Sequence, residues 1–355
     1  MAVTLKQIAE ISGVSIGTVC RALNNKGRIN PKVAERIRNV AEELNYQPNS
    51  IAKSLSNKRK NLKIAVILHV TQNMYVDEMI EGVKQAQAGL KEAGISIVIK
   101  PCKDFNATCQ LNLIDQAIEN KVDGIVIIPI DHQIIKEKIN KLSLQNFPIV
   151  MLSSFIEDCE YFAFVGNDNK FAGQIACGLL KILTHGKAKL AIVIPNLQLW
   201  SNKKRLKGIL ESIDRQLPEV TIESVFEISS DEIQSYIAVK HLLEENPQVD
   251  SVIYFTGAVS GGLRAIIEAS KTREINIITS DLTPQVKAGL ESGDIPFSIF
   301  QNPKAQGYRA VKILSDYLIA NKTPNNKHIY VKTEILIKDS IEGNESLGDI
   351  YLSNL

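Results

Sequence analysis

The apolar positions of this chain change period twice. Over roughly the first 45 residues they recur at helical spacing in three short runs. Leu5, Ile8 and Ala9 share one face behind Thr4-Leu5-Lys6-Gln7. That is a capping box, in which the Thr4 hydroxyl takes a backbone N–H and Gln7 reaches back. Gly13 interrupts the run, and glycine supplies the φ > 0 of a tight turn. Ser15 caps a second run that ends near Leu23, with Val19 and Leu23 inward. Asn30-Pro31 opens the third, in which Val33, Ile37, Val40 and Leu44 form a stripe. Three such helices, the first two joined by a glycine turn, predict a helix-turn-helix domain over residues 1–47.

Residues 48–60 break this pattern. Pro48 ends the third helix, because the residue before a proline is pushed out of the α region. Asn49 can cap one more short helix, and the run Asn57-Lys58-Arg59-Lys60 closes the segment. A helix of about two turns is marginal in water without a partner. The segment is therefore expected to be a linker that becomes helical conditionally.

From Leu62 onward, short apolar runs alternate with helical stretches, the signal of βαβ units and parallel sheets. Strands are predicted over Ile64–Leu68, Ile95–Ile99, Gly124–Ile128, Ile149–Leu152, Tyr161–Val165, Leu190–Ile194, Thr221–Phe226, Ser251–Phe255, Ile275–Thr279 and Phe297–Phe300. Helices fit between them, among them Asp77–Ala93, Cys109–Lys121, Phe171–Leu183 and Lys304–Ile319. This many strands predicts an α/β body over 61–355, made of two doubly wound parallel-sheet lobes. Crossings between lobes are expected at Gly166, Gly293 and Thr323-Pro324. They give an N-lobe of about 61–165 and 295–323, and a C-lobe of about 166–294 and 324–340. The tail after Ile337 has no sustained heptads, so the expected assembly is a homodimer through the body rather than a coiled-coil tetramer.

Charge sharpens this division. The net charge is +2, but residues 1–60 hold eleven Lys/Arg against four Asp/Glu, which leaves the rest of the chain at −5. A basic head on an acidic body is the asymmetry expected of a nucleic-acid binder. The five cysteines form no Cys-x-x-Cys pair and the five histidines no helical pair, so no metal site, disulfide framework or other cofactor is expected. No apolar run is long enough for a membrane span. The N-terminus lacks the order of a signal peptide, so a cytoplasmic protein is expected.

In a helix-turn-helix the second helix lies in the major groove and its first residues reach base edges. Here that helix begins Ser15-Ile16-Gly17-Thr18-Val19-Cys20-Arg21. Arg21 can give two hydrogen bonds to guanine. Ile16 can touch a thymine methyl, and Gly17 can let the backbone come close. Thr4, Ser15, Thr18, Asn24 and Arg28 suit phosphate contacts, which position without specifying.

These residues carry a resemblance. Val3-Thr4-Leu5-Lys6-Gln7-Ile8-Ala9, Gly13-Val14-Ser15, Thr18-Val19-Cys20-Arg21, Leu23-Asn24, Glu42-Glu43-Leu44-Asn45-Tyr46-Gln47-Pro48-Asn49 and Ala52-Lys53-Ser54-Leu55 resemble, in register, the lactose-repressor/galactose-repressor (LacI/GalR) family. Cys20 stands where that family usually has serine. The resemblance implies a repressor that binds double-stranded operator DNA. It further implies that residues 48–56 fold into a hinge helix on the operator, with Leu55 wedged into the minor groove beside Ala52. Leu55 alone reads equally as a helix-face core residue.

The body resembles the type I periplasmic sugar-binding fold of the same family. The pieces are Val122-Asp123-Gly124-Ile125-Val126-Ile127-Ile128-Pro129, Val165-Gly166-Asn167-Asp168-Asn169, Arg205-Leu206-Lys207-Gly208, Asp281-Leu282-Thr283-Pro284 and Gln301-Asn302-Pro303. In such a fold a small-molecule effector sits in the cleft at the carboxyl ends of the strands. The resemblance implies that Arg205, Asp281 and Gln301 contact it, with Asn73 after the first strand. Ser153 and Ser154 stand where ribose-type binders have Asp-Arg, and Phe255-Thr256-Gly257 where the family has Asn-Asp, which leaves fewer charge-assisted bonds. Tyr75 and Trp200 can cover sugar faces, although ordinary packing explains them as well. Asp168 reads as a helix cap. A wall of acceptors, donors and amides satisfies hydroxyls, so a monosaccharide or polyol is expected, with a purine second.

An enzyme is not expected. Gly257-Ala258-Val259-Ser260-Gly261-Gly262 fails the Gly-x-Gly-x-x-Gly spacing. Neither Gly-x-Ser-x-Gly nor a phosphate-loop motif occurs. A transport receptor without DNA binding would leave the basic head unexplained.

Overall fold

The computed structural model describes residues 5–23, 29–44, 61–69, 74–91, 93–102, 105–228, 231–255, 260–271 and 274–341. The predicted hinge, the tail after 341 and the candidates Thr4, Asn24, Arg28, Ala52, Leu55, Asn73 and Thr256 lie outside the described residues.

The head is three helices, α1 (Leu5–Ser12), α2 (Ile16–Leu23) and α3 (Pro31–Glu43). Gly13 has φ 62°, the left-handed turn expected between the first two. The Asn30 carboxamide accepts the Lys32 N–H at 3.0 Å and caps α3, with Pro31 as its first residue. Ile8, Val19 and Ile37, one from each helix, are fully buried at the centre, with Ala9, Ala22, Ala34 and Ala41 around them. Alanines let helices this short approach closely enough to share one small core.

The body holds two six-stranded sheets. The first contains β1 (Leu62–His69), β2 (Ile95–Cys102), β3 (Gly124–Ile127), β4 (Ile149–Leu152) and β5 (Ala163–Gly166). Between them run α4 (Met74–Leu90), α5 (Ala107–Glu119) and α6 (Gln133–Leu144). The second contains β6 (Lys187–Pro195), β7 (Glu219–Ile228), β8 (Ser251–Tyr254), β9 (Asn276–Ser280) and β10 (Phe297–Phe300). Its helices are α7 (Asn169–Thr184), α8 (Trp200–Gln216), α9 (Glu232–Glu245), α10 (Ser260–Ser270) and α11 (Pro284–Ser292). After β10 come α12 (Pro303–Ala320), β11 (His328–Tyr330), β12 (Glu334–Leu336) and α13 (Lys338–Ile341).

The sheet orders are β2-β1-β3-β4-β5-β11 and β7-β6-β8-β9-β10-β12. Every pairing is parallel except β10 with β12. Ile64, Ala65, Val66, Ile67 and Leu68 are all fully buried, because helices cover both faces of a parallel sheet. That is why β1 reads as a continuous apolar run and not as an alternation.

Two of the expected crossings are corrected. β10 belongs to the second sheet, whereas α12 packs on β3, β4 and β5 of the first, so the chain crosses at 301–302 and not at Gly293. β11 pairs with β5 and β12 with β10, so the last crossing falls at 331–333, beyond Thr323-Pro324. Gly293, with φ 85°, is the left-handed C-cap of α11. Apolar runs mark strands without saying which sheet they join, and strands of three residues are too short to show a period. The first crossing falls between β5 and α7.

Two helix pairs pack closely enough to require glycine at their contacts. A Cβ at Gly82 of α4 would strike the Lys304 carbonyl of α12, and one at Gly307 would strike Met79. A Cβ at Gly173 of α7 would strike the Arg205 carbonyl, and one at Gly208 the Lys170 carbonyl. The first pair brings Gln306 beside Tyr75; the second fixes the backbone that carries Arg205.

Candidate DNA-reading helix and effector cleft

Helix α2 presents Ser15, Ile16, Gly17, Cys20 and Arg21 to solvent and buries Val19 and Ala22. Ile16 is 48% exposed, so its side chain stands at the surface of the helix. The Ser15 hydroxyl accepts the Thr18 N–H at 3.2 Å and pairs with the Thr18 hydroxyl at 2.9 Å, so these two candidates cap the helix. Arg21 Nε donates to the Gly17 carbonyl at 3.2 Å, which lays the guanidinium along the exposed face of its own helix.

In the body, Ser153, Asp281 and Gln301 follow the carboxyl ends of β4, β9 and β10, and Tyr75 starts α4 just beyond β1. Open α/β sheets bind ligands at this end. Ser153 and Asp281 adopt left-handed backbone, φ 62° and 65°. Non-glycine residues take that region at a cost, and it concentrates where side chains are re-aimed for function.

A continuous polar array joins these residues. Arg205 Nη2 donates to Gln301 Oε1 at 2.5 Å and to Asn169 Oδ1 at 2.6 Å, and its guanidinium lies 4.7 Å above the Phe255 ring. Gln301 Nε2 donates to both Asp281 carboxylate oxygens, at 3.1 and 2.9 Å. From the first lobe, the Tyr75 hydroxyl meets the Ser153 hydroxyl at 3.0 Å and Gln306 Nε2 at 3.1 Å. Gln306 Nε2 also donates to Asn167 Oδ1 at 2.6 Å and to the Gln301 carbonyl at 2.9 Å. Asn167 Nδ2 reaches the Val331 carbonyl at 3.0 Å. Gln306 and Asn167 thereby tie all three interlobe crossings to the tyrosine.

Burial governs the acid–base character of this array. It pushes the Tyr75 phenol up to about 12, with the Asp281 charge adding to it. Burial likewise lifts Asp281 to about 6, opposed by the Arg205 charge and the Gln301 hydrogen bonds. It lifts Glu78 on α4 to about 7, with Asp281 and Glu81 reinforcing and Lys304 opposing. Arg205 is lowered by burial against the pull of Asp281 and Tyr75.

Tyr75, Ser153, Arg205, Asp281 and Gln301 thus belong to one network, and Tyr75 enters it through its hydroxyl. Ser154 is buried and its hydroxyl accepts the Ser201 N–H at 3.4 Å. Trp200 departs from the expectation that it covers a ligand face. Its ring lies 3.9 Å from that of Phe155 and its N–H donates to Glu157 at 2.9 Å, because α8 begins against the loop after β4. Asp168 caps α7 by accepting the Phe171 N–H. Glu78, Asn167, Asn169 and Gln306 were not candidates. Asn167 and Asn169 sat within a recognised motif, whereas Glu78 and Gln306 have no local signal on their helices. Among the described residues no helix is long and apolar enough to cross a membrane.

Comparison with known proteins agrees with this division. Residues 4–49 match the family described as bacterial regulatory proteins, lacI family, and residues 64–322 match the periplasmic binding protein domain. The HTH-type transcriptional regulator MalR of Streptococcus pneumoniae is 27% identical over 272 residues, 74% of this chain and 79% of its own. The ribose operon repressor of Halalkalibacterium halodurans is 24% identical over 348 residues, 97% of this chain and 98% of its own. Among solved structures, the glucose-galactose binding protein GanP of Geobacillus stearothermophilus superposes with TM-score 0.69 at 23% identity, covering 79% of this chain and 98% of its own. A solute binding protein from Bacillus halodurans C-125 with bound myo-inositol superposes with TM-score 0.70 at 17% identity, covering 80% and 97%. With an exposed second helix in a matched head and two sheets in a matched body, the chain belongs to the lacI family of bacterial regulatory proteins and is a DNA-binding transcriptional regulator, not an enzyme.

Proposed function

We propose that the protein is a repressor whose operator affinity is set by a small, neutral, hydroxyl-rich effector, a monosaccharide or polyol, bound between the lobes. The observation that carries this reading is the buried Arg205–Gln301–Asp281 array facing Tyr75 and Ser153. It offers a donor-only cation, an acceptor-only carboxylate and side chains that do both, as hydroxyls require. One arginine beside an aspartate suits a sugar phosphate poorly. Solved relatives with this fold include a glucose-galactose binding protein and one holding myo-inositol, which agrees with such a ligand.

The effector acts by its differential affinity for two lobe arrangements, which is passed to the DNA-binding head. Operator binding uses Arg21 and Ile16 for bases, with Thr4, Ser15, Gly17, Thr18, Asn24 and Arg28 near the backbone and Ala52 and Leu55 in the minor groove. We take the working form to be a cytoplasmic homodimer. Val98 on β2 and Val225 on β7 are exposed on the free edges of their sheets, and Ile233 and Ile237 are exposed on α9. Exposed apolar side chains on free edge strands and on α9 support pairing with a second copy. A thermal-shift screen of sugars, polyols and nucleobases, followed by gel shifts on genomic fragments with each hit, tests the reading. A sugar that changes DNA retention supports it; a response to nucleobases alone overturns the effector class and leaves the regulator intact.

A further inference from the structure

One cluster joins the two lobes without using any of the three chain crossings. Trp200, the only tryptophan of the chain, begins α8 in the second lobe. Its ring packs against Phe155 of the first lobe at 3.9 Å between centroids, tilted by 36°, and behind Phe155 lies Phe164 at 5.0 Å. The indole N–H donates to Glu157 Oε1 at 2.9 Å, and Lys204 pairs with the same carboxylate oxygen at 2.7 Å. Lys204 also stands 5.4 Å over the indole ring. On the next residue of α8, the Ser201 N–H reaches the Ser154 hydroxyl.

We propose that Trp200 is an interlobe clasp: packed against Phe155 and tied to Glu157, it holds the first turn of α8 against the loop after β4 and sets how readily the lobes part. The crossings are short and can absorb a rotation, as hinges do. Resistance to parting must then come from contacts made across the gap. An exposed ion pair alone contributes little. Here, however, one carboxylate serves an indole N–H and an ammonium together, beside an aromatic contact whose Phe155 is half-buried. All of these contacts lie on the first turn and a quarter of α8, so a rotation that lifts the helix breaks them together. Arg205 lies one residue beyond Lys204, so the clasp also governs how closely the Arg205 array approaches Tyr75. This inference concerns lobe motion and is independent of what the effector is.

The single tryptophan makes the test direct. Acrylamide quenching of Trp200 and small-angle scattering are measured on the full chain without ligand or DNA, for the native protein and for Phe155→Ala, Glu157→Ala and Lys287→Ala. The last removes an ion pair with Glu291 elsewhere on the second lobe. Loss of a charge-assisted bond is expected to move the ratio of parted to clasped forms by roughly tenfold. Phe155→Ala and Glu157→Ala should therefore both raise quenching and enlarge the radius of gyration, and Lys287→Ala should change neither. Quenching that rises without any change in scattering overturns the proposal, since Trp200 would then only cover a surface; so does no change in either quantity. Should Phe155→Ala fail to fold by circular dichroism, Glu157→Ala decides alone, because Glu157 is exposed and fills no core.

Discussion

Arg205 and Asp281 sit in one buried array, yet the hydrogen bonds between them run through Gln301. Its amide oxygen accepts from the guanidinium at 2.5 Å, and its nitrogen donates to both carboxylate oxygens. The carboxamide is oriented by opposite charges at its two ends, so it cannot flip without turning donor to donor and acceptor to acceptor. The arrangement keeps two opposite charges near the cleft without consuming both in a single salt bridge. Among the described residues, Arg205 Nε is buried without a hydrogen-bond partner, so the arginine keeps a donor in reserve.

Gln301→Leu removes both ends of the bridge at once and leaves two buried ionic groups short of partners. Such losses cost on the order of 2–4 kcal/mol. In a chain of this size that corresponds to a melting temperature lower by roughly 3–5 °C. Calorimetry on the two proteins reads it directly. A melting temperature within about a degree of the native one would show that Arg205 and Asp281 find each other without the glutamine.

Glu78 gives the stability a defined pH dependence. Burial raises its pKa in the folded protein to about 7, well above the usual 4.5 of a glutamate, so the fold favours the protonated acid. Its stabilising contribution is complete below about pH 4.5 and is lost as the pH rises through 7. Asp281, raised to about 6, has the same sign over a lower window. Denaturant titrations at pH 5.5 and 8 should differ by roughly 2 kcal/mol on account of Glu78, with the protein more stable at the lower pH. Glu78→Gln should flatten this difference and stabilise the protein at pH 8. The same slope in the variant would place the titration elsewhere.

Much of this architecture was legible in the sequence, for identifiable reasons. Ile149–Leu152 and Phe297–Phe300 were placed to the residue because buried parallel strands are unbroken apolar runs bounded by turn residues. The head was legible from caps: Ser15 and Asn30 do by geometry what their positions suggested. β11 and β12 were missed because His328–Tyr330 and Glu334–Leu336 are half-exposed edge strands of three residues. In the cleft, the charged and amide residues after strand ends could be read. Gln306 could not, because it reaches Tyr75, 231 positions away, from the interior of a helix. Nor could the role of Trp200, because an exposed glutamate, a phenylalanine and a tryptophan on separate elements share no sequence pattern. Side chains that act across the gap between lobes are set by tertiary distance, and spacing along the chain does not encode it.

Arg21 is exposed on α2 with its guanidinium resting on Gly17, free to swing toward a base edge. Arg21→Ala should relax preference at one guanine in each half-site, costing about 1–3 kcal/mol. Selection from a random DNA pool, run on both proteins, reads this as a flattened position in the bound motif. An unchanged motif with uniformly weaker binding would make Arg21 a phosphate contact instead.

Asp281 separates ligand sensing from DNA binding. Asp281 is 8% exposed, accepts two hydrogen bonds from Gln301 and belongs to the second lobe, whereas α2 belongs to the head. Asp281→Ala removes the only acceptor-only group of the array and frees Gln301 Nε2 and Arg205 to rearrange. A sugar or polyol at about 100 times its dissociation constant should raise native stability by roughly 2.7 kcal/mol. In the variant this thermal shift should vanish, together with the ligand's effect on operator retention in a gel shift. Operator affinity without ligand should stay nearly normal, because no contact with DNA has been altered. Weakened ligand-free operator binding would show that Asp281 holds the lobes in their DNA-competent arrangement. A thermal shift that persists in the variant would place the effector away from the Arg205–Gln301–Asp281 array.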